Sequence, residues 1–154
     1  MEGGDSRVAR AAARPEDQGP ETTGDVTVEL IGVDHVQLGM PADGEDRARA
    51  FYAVVLGLRE VAKPPELAGR GGVWFVGVAG VAVHLGVDAS QPSAKAHPAF
   101  VVADLALARE TIGAAGIALE DDESGLPVRR CYLRDPFGNR IELVDARDAG
   151  FSER

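Results

Sequence analysis

Short apolar runs separated by turn residues occupy the chain from Val26 onward, and they fall into two similar halves. Runs in the first half with the length and composition of strands are 30–40, 58–62, 73–78 and 81–87. The corresponding runs in the second half are 97–102, 117–120, 128–133 and 140–145. In each half a helical pattern follows the first run, so each half is predicted to be strand–helix–strand–strand–strand. Repetition of such a unit is a strong signal of fold.

Turn residues mark where the predicted elements begin and end. Asp43 is the predicted N-cap of the first helix and Asp104 that of the second, because an aspartate oxygen can accept from free N–H groups of a first turn. Gly57 is the predicted stop of the first helix. Residues 135–139, Asp-Pro-Phe-Gly-Asn, close the last hairpin, since proline fixes one φ and glycine supplies a positive one.

Three histidines and one glutamate lie at matching places in the two halves. His35 and His97 open the first run of each half, and His84 and Glu142 lie in the last run of each. Alternation along a strand directs all four side chains away from the face that packs under the helices. Imidazole nitrogens and carboxylate oxygens are ligands of borderline divalent cations, so this pattern predicts a metal site.

Small residues accompany these four side chains on the same strand faces. They are Gly39, Ala82, Gly86 and Ala99. They leave room beside the candidate ligands, so the sheet is predicted to curl around a cleft on this face. The predicted fold class is α+β: two βαβββ modules forming a curled mixed-sheet half-barrel with helices on the outer face.

Composition narrows the class of protein. A chain of 154 residues is one domain by the usual length relation. The net charge of −9 argues against nucleic acid as a partner, because phosphate binding needs clustered Lys and Arg. No apolar stretch is long enough to span a bilayer, which argues against a membrane partner. The single cysteine, Cys131, fits a reducing compartment, so a cytoplasmic location is expected.

The predicted boundaries follow from composition and from the repeat. Residues 1–26 are polar and are predicted to be a disordered tail. A single domain is predicted over 27–147, with modules at about 30–88 and 97–146. A short C-terminal tail, 148–154, completes the chain.

Five segments carry a resemblance to a known family. They read DHVQL, RAFYAVVLGL, GVAVHLGV, HPAFVVADL and YLRDPFGNRIELVD. With them the chain resembles the vicinal oxygen chelate superfamily, which includes glyoxalase I, extradiol dioxygenases, fosfomycin-modifying enzymes and bleomycin-binding proteins. The resemblance implies paired βαβββ modules around a divalent metal ion (Zn, Ni, Mn, Fe or Co). It also implies a homodimer, since in many members the modules pair across a dimer interface.

The resemblance assigns roles to the repeated residues. His35, His97 and Glu142 match the metal ligands of the family, and this set leaves coordination positions open for two substrate oxygens. His84 stands where glyoxalase-type members place a carboxylate ligand. It could be a fourth ligand, a general base or a hydrogen-bonding partner of the substrate, so His84 and Glu142 are the candidates for catalytic proton transfer.

Four more residues are candidates for binding the substrate: Gln37, Trp74, Arg130 and Tyr132. Arg130 could orient an anionic substrate through paired hydrogen bonds, although a solvated surface arginine is an equal alternative. The predicted function is that of a metal-dependent enzyme, a glyoxalase-like isomerase or lyase or a dioxygenase-type enzyme, acting on a small molecule with vicinal oxygens. The alternative is a non-catalytic protein of the bleomycin-resistance type that sequesters its ligand.

Overall fold

The computed structural model describes residues 28–150 of the chain. The predicted disordered tail, 1–26, lies outside the described residues, as do residues 151–154 at the C-terminus. Residues 28–32 contain no regular structure, and the compact unit begins at Val33. None of the helices in the described part of the chain is long and apolar enough to cross a membrane.

In residues 28–150 the eight strands and two of the three α-helices follow one another in the order predicted from the repeat, and the remaining α-helix is a short turn between the second and third strands, where only a loop was expected. The strands are β1 (Val36–Met40), β2 (Arg59–Val61), β3 (Val73–Val76), β4 (Ala82–Val87), β5 (Ala99–Val102), β6 (Leu119–Asp121), β7 (Arg130–Arg134) and β8 (Arg140–Asp145). The helices are α1 (Glu45–Ala48), α2 (Pro65–Ala68) and α3 (Leu105–Ala114). A π-helical segment, Arg49–Val55, continues α1 without a break.

The strands form two four-stranded mixed sheets with the same topology. The order is β1-β4-β3-β2 in the first module and β5-β8-β7-β6 in the second. In each sheet the first strand runs parallel to the fourth, and the remaining pairs are antiparallel. The sheets are not closed into a barrel. The structure therefore confirms the predicted α+β class, with two βαβββ modules of the half-barrel type.

Strand alternation separates a core face from an open face in both sheets. On β4, Val83 and Leu85 are fully buried, whereas His84 between them is only partly buried. On β8, Ile141 and Leu143 belong to the core cluster, and Glu142 lies on the other face. Buried helical side chains such as Phe51 complete the core, so the helices cover one face of each sheet and leave the other to the candidate ligands.

A buried polar network joins the two modules of one chain. The Tyr52 hydroxyl, on the π-helical segment of the first module, donates to Asp135 at 2.8 Å. Asn139 donates to the same carboxylate at 2.7 Å and to the Gly39 carbonyl of β1 at 2.7 Å. The Asp135 carboxylate also accepts from the backbone N–H groups of Phe137 and Asn139. The predicted 135–139 turn thus fastens the second module to the first.

Local details differ from the expectations. The N-cap position of α1 is Gly44 and not Asp43, which takes a positive φ of 61° in the preceding turn. Asp104 does cap α3, since its carboxylate accepts from Leu107 N at 3.0 Å. In the predicted C-terminal tail, Asp148 is paired with Arg129 at 2.7 Å.

Candidate functional site

His35, His84 and Trp74 form a stack of three rings on the open face of the first module. The centroids of His35 and His84 are 4.1 Å apart, and those of His84 and Trp74 are 3.9 Å apart with an interplanar angle of 7°. The sheet register causes this arrangement, because Trp74 on β3 pairs directly with His84 on β4, and Gln37 on β1 pairs with His84 from the other side. Both faces of the His84 ring are therefore covered.

Burial and neighbouring side chains lower pKa values in and beside this stack. Burial lowers the pKa of His84 below that of free imidazole, and the neighbouring His35 lowers it further. Asp34 accepts a hydrogen bond from Nδ1 of His35 at 2.6 Å, and this bond holds the pKa of the Asp34 carboxyl below its usual value. When Nδ1 of His35 carries the proton, its Nε2 keeps a lone pair, which is the form that binds a metal.

His97 and Glu142 form the corresponding pair on the second module. Nε2 of His97 lies 2.8 Å from Oε2 of Glu142, and the side chains are 23% and 8% exposed. The other carboxylate oxygen of Glu142 accepts from Arg130 at 3.3 Å. Asp122 binds the same guanidinium at 2.9 Å. Arg130 thus lies between two carboxylates and fixes the orientation of Glu142.

Both ring nitrogens of His97 face oxygen atoms. Its Nδ1 faces the carbonyl oxygen of Lys95, while its Nε2 faces the carboxylate of Glu142. A neutral imidazole has one N–H and can satisfy only one of these two acceptors. A proton or a metal ion shared by Nε2 of His97 and the carboxylate of Glu142 would satisfy both groups at once. The donor set of His97 and Glu142 fits a borderline divalent ion.

Tyr132 and Arg140 complete the surroundings of the second pair. Tyr132 pairs with Glu142 across β7 and β8, and its ring meets the His97 ring edge to face at 5.4 Å. The guanidinium carbon of Arg140 lies 3.9 Å from the centroid of the Tyr132 ring. Burial raises the pKa of the Tyr132 phenol, and the nearby Glu142 carboxylate raises it further.

The two pairs occupy equivalent positions in the repeat. His84 lies between Gln37 and Trp74 in its sheet, just as Glu142 lies between Ala99 and Tyr132. Within residues 28–150 of a single chain, no group of three or more His, Cys, Asp or Glu side chains is placed to hold a metal ion. The structure thus brings the candidate ligands together as His35 with His84 and as His97 with Glu142.

A groove of about 430 Å³ runs between β1 and the neighbouring part of the second module. It is lined from β1 by residues that include Gln37 and Gly39, and from the second module by His97, Asn139 and Arg140. The predicted substrate-binding residue Gln37 is in this groove. The other three predicted substrate-binding residues do not line this groove and instead contact candidate ligands: Trp74, Arg130 and Tyr132.

Sequence reasoning missed three polar residues of the site. Asp34 binds His35, Asp122 binds Arg130, and Arg140 lies over Tyr132. A signal existed for two of them: Asp34 directly precedes a candidate ligand, and Arg140 precedes Glu142 by two residues on the same strand face. Asp122 follows β6 in a loop, and the sequence contains no signal for its contact.

A family model and a solved structure both relate this chain to the same superfamily. Residues 32–143 match the model of the Glyoxalase/Bleomycin resistance protein/Dioxygenase superfamily. A glyoxalase family protein from Bacillus anthracis is 40% identical, with a TM-score of 0.73 over 78% of this chain and 98% of that chain. No protein of curated function matches the sequence.

Two further solved structures share the fold at lower identity. A FosX variant from Listeria monocytogenes, in complex with Mn(II) and a dihydroxypropylphosphonic acid, is 20% identical, with a TM-score of 0.62 over 75% of this chain and 90% of that chain. TnmS3, an antibiotic binding protein from Streptomyces sp. CB03234, is 19% identical, with a TM-score of 0.58 over 76% of this chain and 98% of that chain. The match to the family model, together with the protein from Bacillus anthracis, shows that this chain belongs to the Glyoxalase/Bleomycin resistance protein/Dioxygenase superfamily.

Proposed function

We propose that this protein is a metal-dependent enzyme, a glyoxalase-like isomerase or lyase, acting on a small molecule with vicinal oxygens. The observation that carries the proposal is the pairing of His97 with Glu142, in which an imidazole nitrogen and a carboxylate oxygen face each other at 2.8 Å. Both are metal-ligand atoms, and a third candidate ligand, His35, lies directly before β1, the strand of the other module that is equivalent to β5.

We further propose that the site is completed across a homodimer. No group of three candidate ligands is placed to hold a metal ion within residues 28–150 of one chain, and in the proposed dimer the first module of one protomer supplies His35 to the His97 and Glu142 of its partner. Two equivalent sites would result, because a two-fold interface places the same surfaces together twice. The exposed position of His35, with 39% of its side chain accessible, suits a ligand that is shared in this way.

When bound, a divalent ion such as Zn, Ni, Mn, Fe or Co would supply a Lewis acid for the substrate oxygens. The chain's own residues prepare the ligands. In the tautomers that donate from Nδ1, His35 donates to Asp34 and His97 donates to the Lys95 carbonyl, so Nε2 of each ring keeps the lone pair that a metal ion would need. Arg130 donates to Glu142 and fixes the orientation of that side chain.

His84 is the proposed general base, with Glu142 as the second candidate for proton transfer. Its ring is covered by Trp74 on one face and His35 on the other, so only ring-edge nitrogens are available to a substrate. The lowered pKa of His84 keeps the imidazole neutral near pH 7, which is the form that accepts a proton. Gln37, Trp74 and Tyr132 are proposed to contact the substrate. The one thiol, Cys131, is buried, and a reducing compartment such as the cytoplasm suits it.

Elemental analysis of the purified protein tests this function. About one equivalent of a divalent transition metal or zinc per protomer is expected, lost in His35→Ala and in His97→Ala but kept in a surface variant such as Glu66→Ala. Metal-free wild-type protein that binds ligands equally well with and without a chelator would support the sequestering alternative and contradict the enzyme.

A further inference from the structure

In the part of the chain that the structure describes, Arg140 is a cation without a carboxylate partner, although the protein is acidic. The chain has 25 acidic and 16 basic residues, and most arginines of the described part are paired with acids. Within residues 28–150 Arg140 forms no ion pair, and its buried Nε has no hydrogen-bond partner. An unpaired donor of this kind is costly to bury, so its position needs a reason.

The nearest carboxylate on its own strand face does not neutralise Arg140. Glu142 is two residues away on β8, and its two oxygens are already directed to His97 and Arg130. The guanidinium carbon of Arg140 instead lies over the Tyr132 ring, 3.9 Å from its centroid. This cation–π contact holds the guanidinium in place without using its hydrogen-bond donors.

The groove that Arg140 lines contains no acidic side chain. Apart from His97, its remaining lining residues are neutral: Val36, Gln37, Leu38, Gly39, Pro92, Ser93, Ala96, Pro98 and Asn139. The formal charge of the groove is therefore positive, in a chain whose net charge is −9. Such a local field attracts a small anion, and a guanidinium presents two parallel donors to a carboxylate or phosphate group.

We propose that Arg140 forms a subsite for an oxyanion group, a carboxylate or a phosphate-type group, on the substrate of this protein. The proposal rests on the proposed function, because His97 lies in the same groove and would hold the metal next to this group. The substrate class is thereby narrowed to small acids that carry vicinal oxygens and a separate oxyanion. Arg130 is less suited to this task, because its guanidinium already forms ion pairs with Asp122 and Glu142, although its Nε also lacks a hydrogen-bond partner within residues 28–150.

Binding of three related probes to the purified holoprotein tests the subsite by calorimetry. Glycerol, glycerate and glycerol 3-phosphate share vicinal oxygens, and only the last two carry an oxyanion. Wild-type protein is expected to bind at least one of the two anions about tenfold or more tightly than glycerol, and the preferred anion separates carboxylate from phosphate recognition. Arg140→Gln is expected to abolish this preference, and Arg140→Lys to keep part of it as a point charge.

Arg59→Gln is the matched control, because it removes one positive charge from an exposed position on β2 outside the groove. An equal affinity for all three probes, no binding of either anion up to its solubility limit, or a preference that survives in Arg140→Gln would overturn the proposal. The metal content of the same samples separates the two hypotheses. Metal-free protein with an Arg140-dependent preference would contradict only the proposed enzyme, whereas metal-loaded protein without the preference would contradict only the oxyanion subsite.

Discussion

His97 and Glu142 are separated by 45 residues in the chain, yet their side chains meet at 2.8 Å on the open face of the second sheet. The contact follows from the topology: His97 lies two residues before the start of β5, which runs parallel to β8, and Ala99 pairs with Glu142. The backbone N–H of Glu142 donates to the carbonyl of Pro98, which fixes the two segments next to each other. The geometry of the pair is therefore set by the sheet and does not depend on a bound ion.

Replacing Glu142 with glutamine is expected to lower the affinity for a divalent metal by more than about 100-fold, because the amide keeps the shape and loses the charge that binds the cation. Metal titration with a competing chelator measures this. Glu120→Gln, at an exposed position on the edge strand β6, is the control and should bind metal as the wild type does. Equal affinities in the two variants would rule out Glu142 as a ligand.

Asp34 is expected to increase the affinity for the metal by orienting His35. The variant Asp34→Asn removes the negative charge that accepts from Nδ1 of His35, and a loss of about 10–100-fold in metal affinity should follow. Asp43→Asn is a matched control, since Asp43 is exposed and asparagine also tolerates its positive φ. An unchanged affinity in Asp34→Asn would mean that the hydrogen bond to His35 has no part in the site.

The buried hydroxyl of Tyr52 is expected to contribute to stability. Tyr52→Phe removes the hydrogen bond to Asp135 and leaves that carboxylate with one partner fewer, so the free energy of unfolding should fall by about 1–3 kcal/mol. Urea denaturation measures the change. Tyr132→Phe serves as the control, because the Tyr132 hydroxyl forms no hydrogen bond to any other residue in 28–150. If both substitutions have the same effect, the network between Tyr52 and the 135–139 turn is not stabilising.

Acid is expected to weaken the contact between Asp148 and Arg129. The hydrogen bonds from Arg129 lower the pKa of Asp148 to about 2, below that of an aspartate in an unfolded chain, about 3.9. The pair therefore adds its full stability above about pH 4 and loses it as the pH falls towards 2. Thermal unfolding of Asp148→Asn should show a lower Tm than the wild type at pH 7 and a smaller difference near pH 2.5. A difference that stays constant with pH would contradict this assignment.

The repeat in the sequence was sufficient to predict the fold and the face of each candidate ligand. Apolar core residues flank both side chains, Val83 and Leu85 around His84 and Ile141 and Leu143 around Glu142, so the faces of His84 and Glu142 followed from their neighbours. Alternation also directed Trp74 to the open face, where it stacks on His84. These features depend on local periodicity, which a single sequence contains.

Contacts between loops and strands could not be predicted in the same way. The ion pair of Arg130 with Asp122 depends on the path of a loop, and no periodicity records that path. Asp43 satisfied the composition of an N-cap, but the turn placed Gly44 at that position. The separation of the ligands into two pairs is a property of the packing of the modules, and it emerges only from the three-dimensional arrangement.

The most direct test of the account is a mixing experiment with two variants that each lack one half of the site. His35→Ala and Glu142→Ala should both purify without metal. Mixed under conditions that exchange protomers, they should form heterodimers in which one site regains His35 from the Glu142→Ala protomer and His97 with Glu142 from the other.

The expected result is about half an equivalent of metal per protomer in the purified heterodimer. Neither the His35→Ala homodimer nor the Glu142→Ala homodimer should bind metal. As a control, heterodimers of wild type with the His35→Ala/Glu142→Ala double variant should hold no metal, because each of their sites lacks one ligand. Metal binding in this control but not in the mixed single variants would place the complete site within one chain and contradict the shared site.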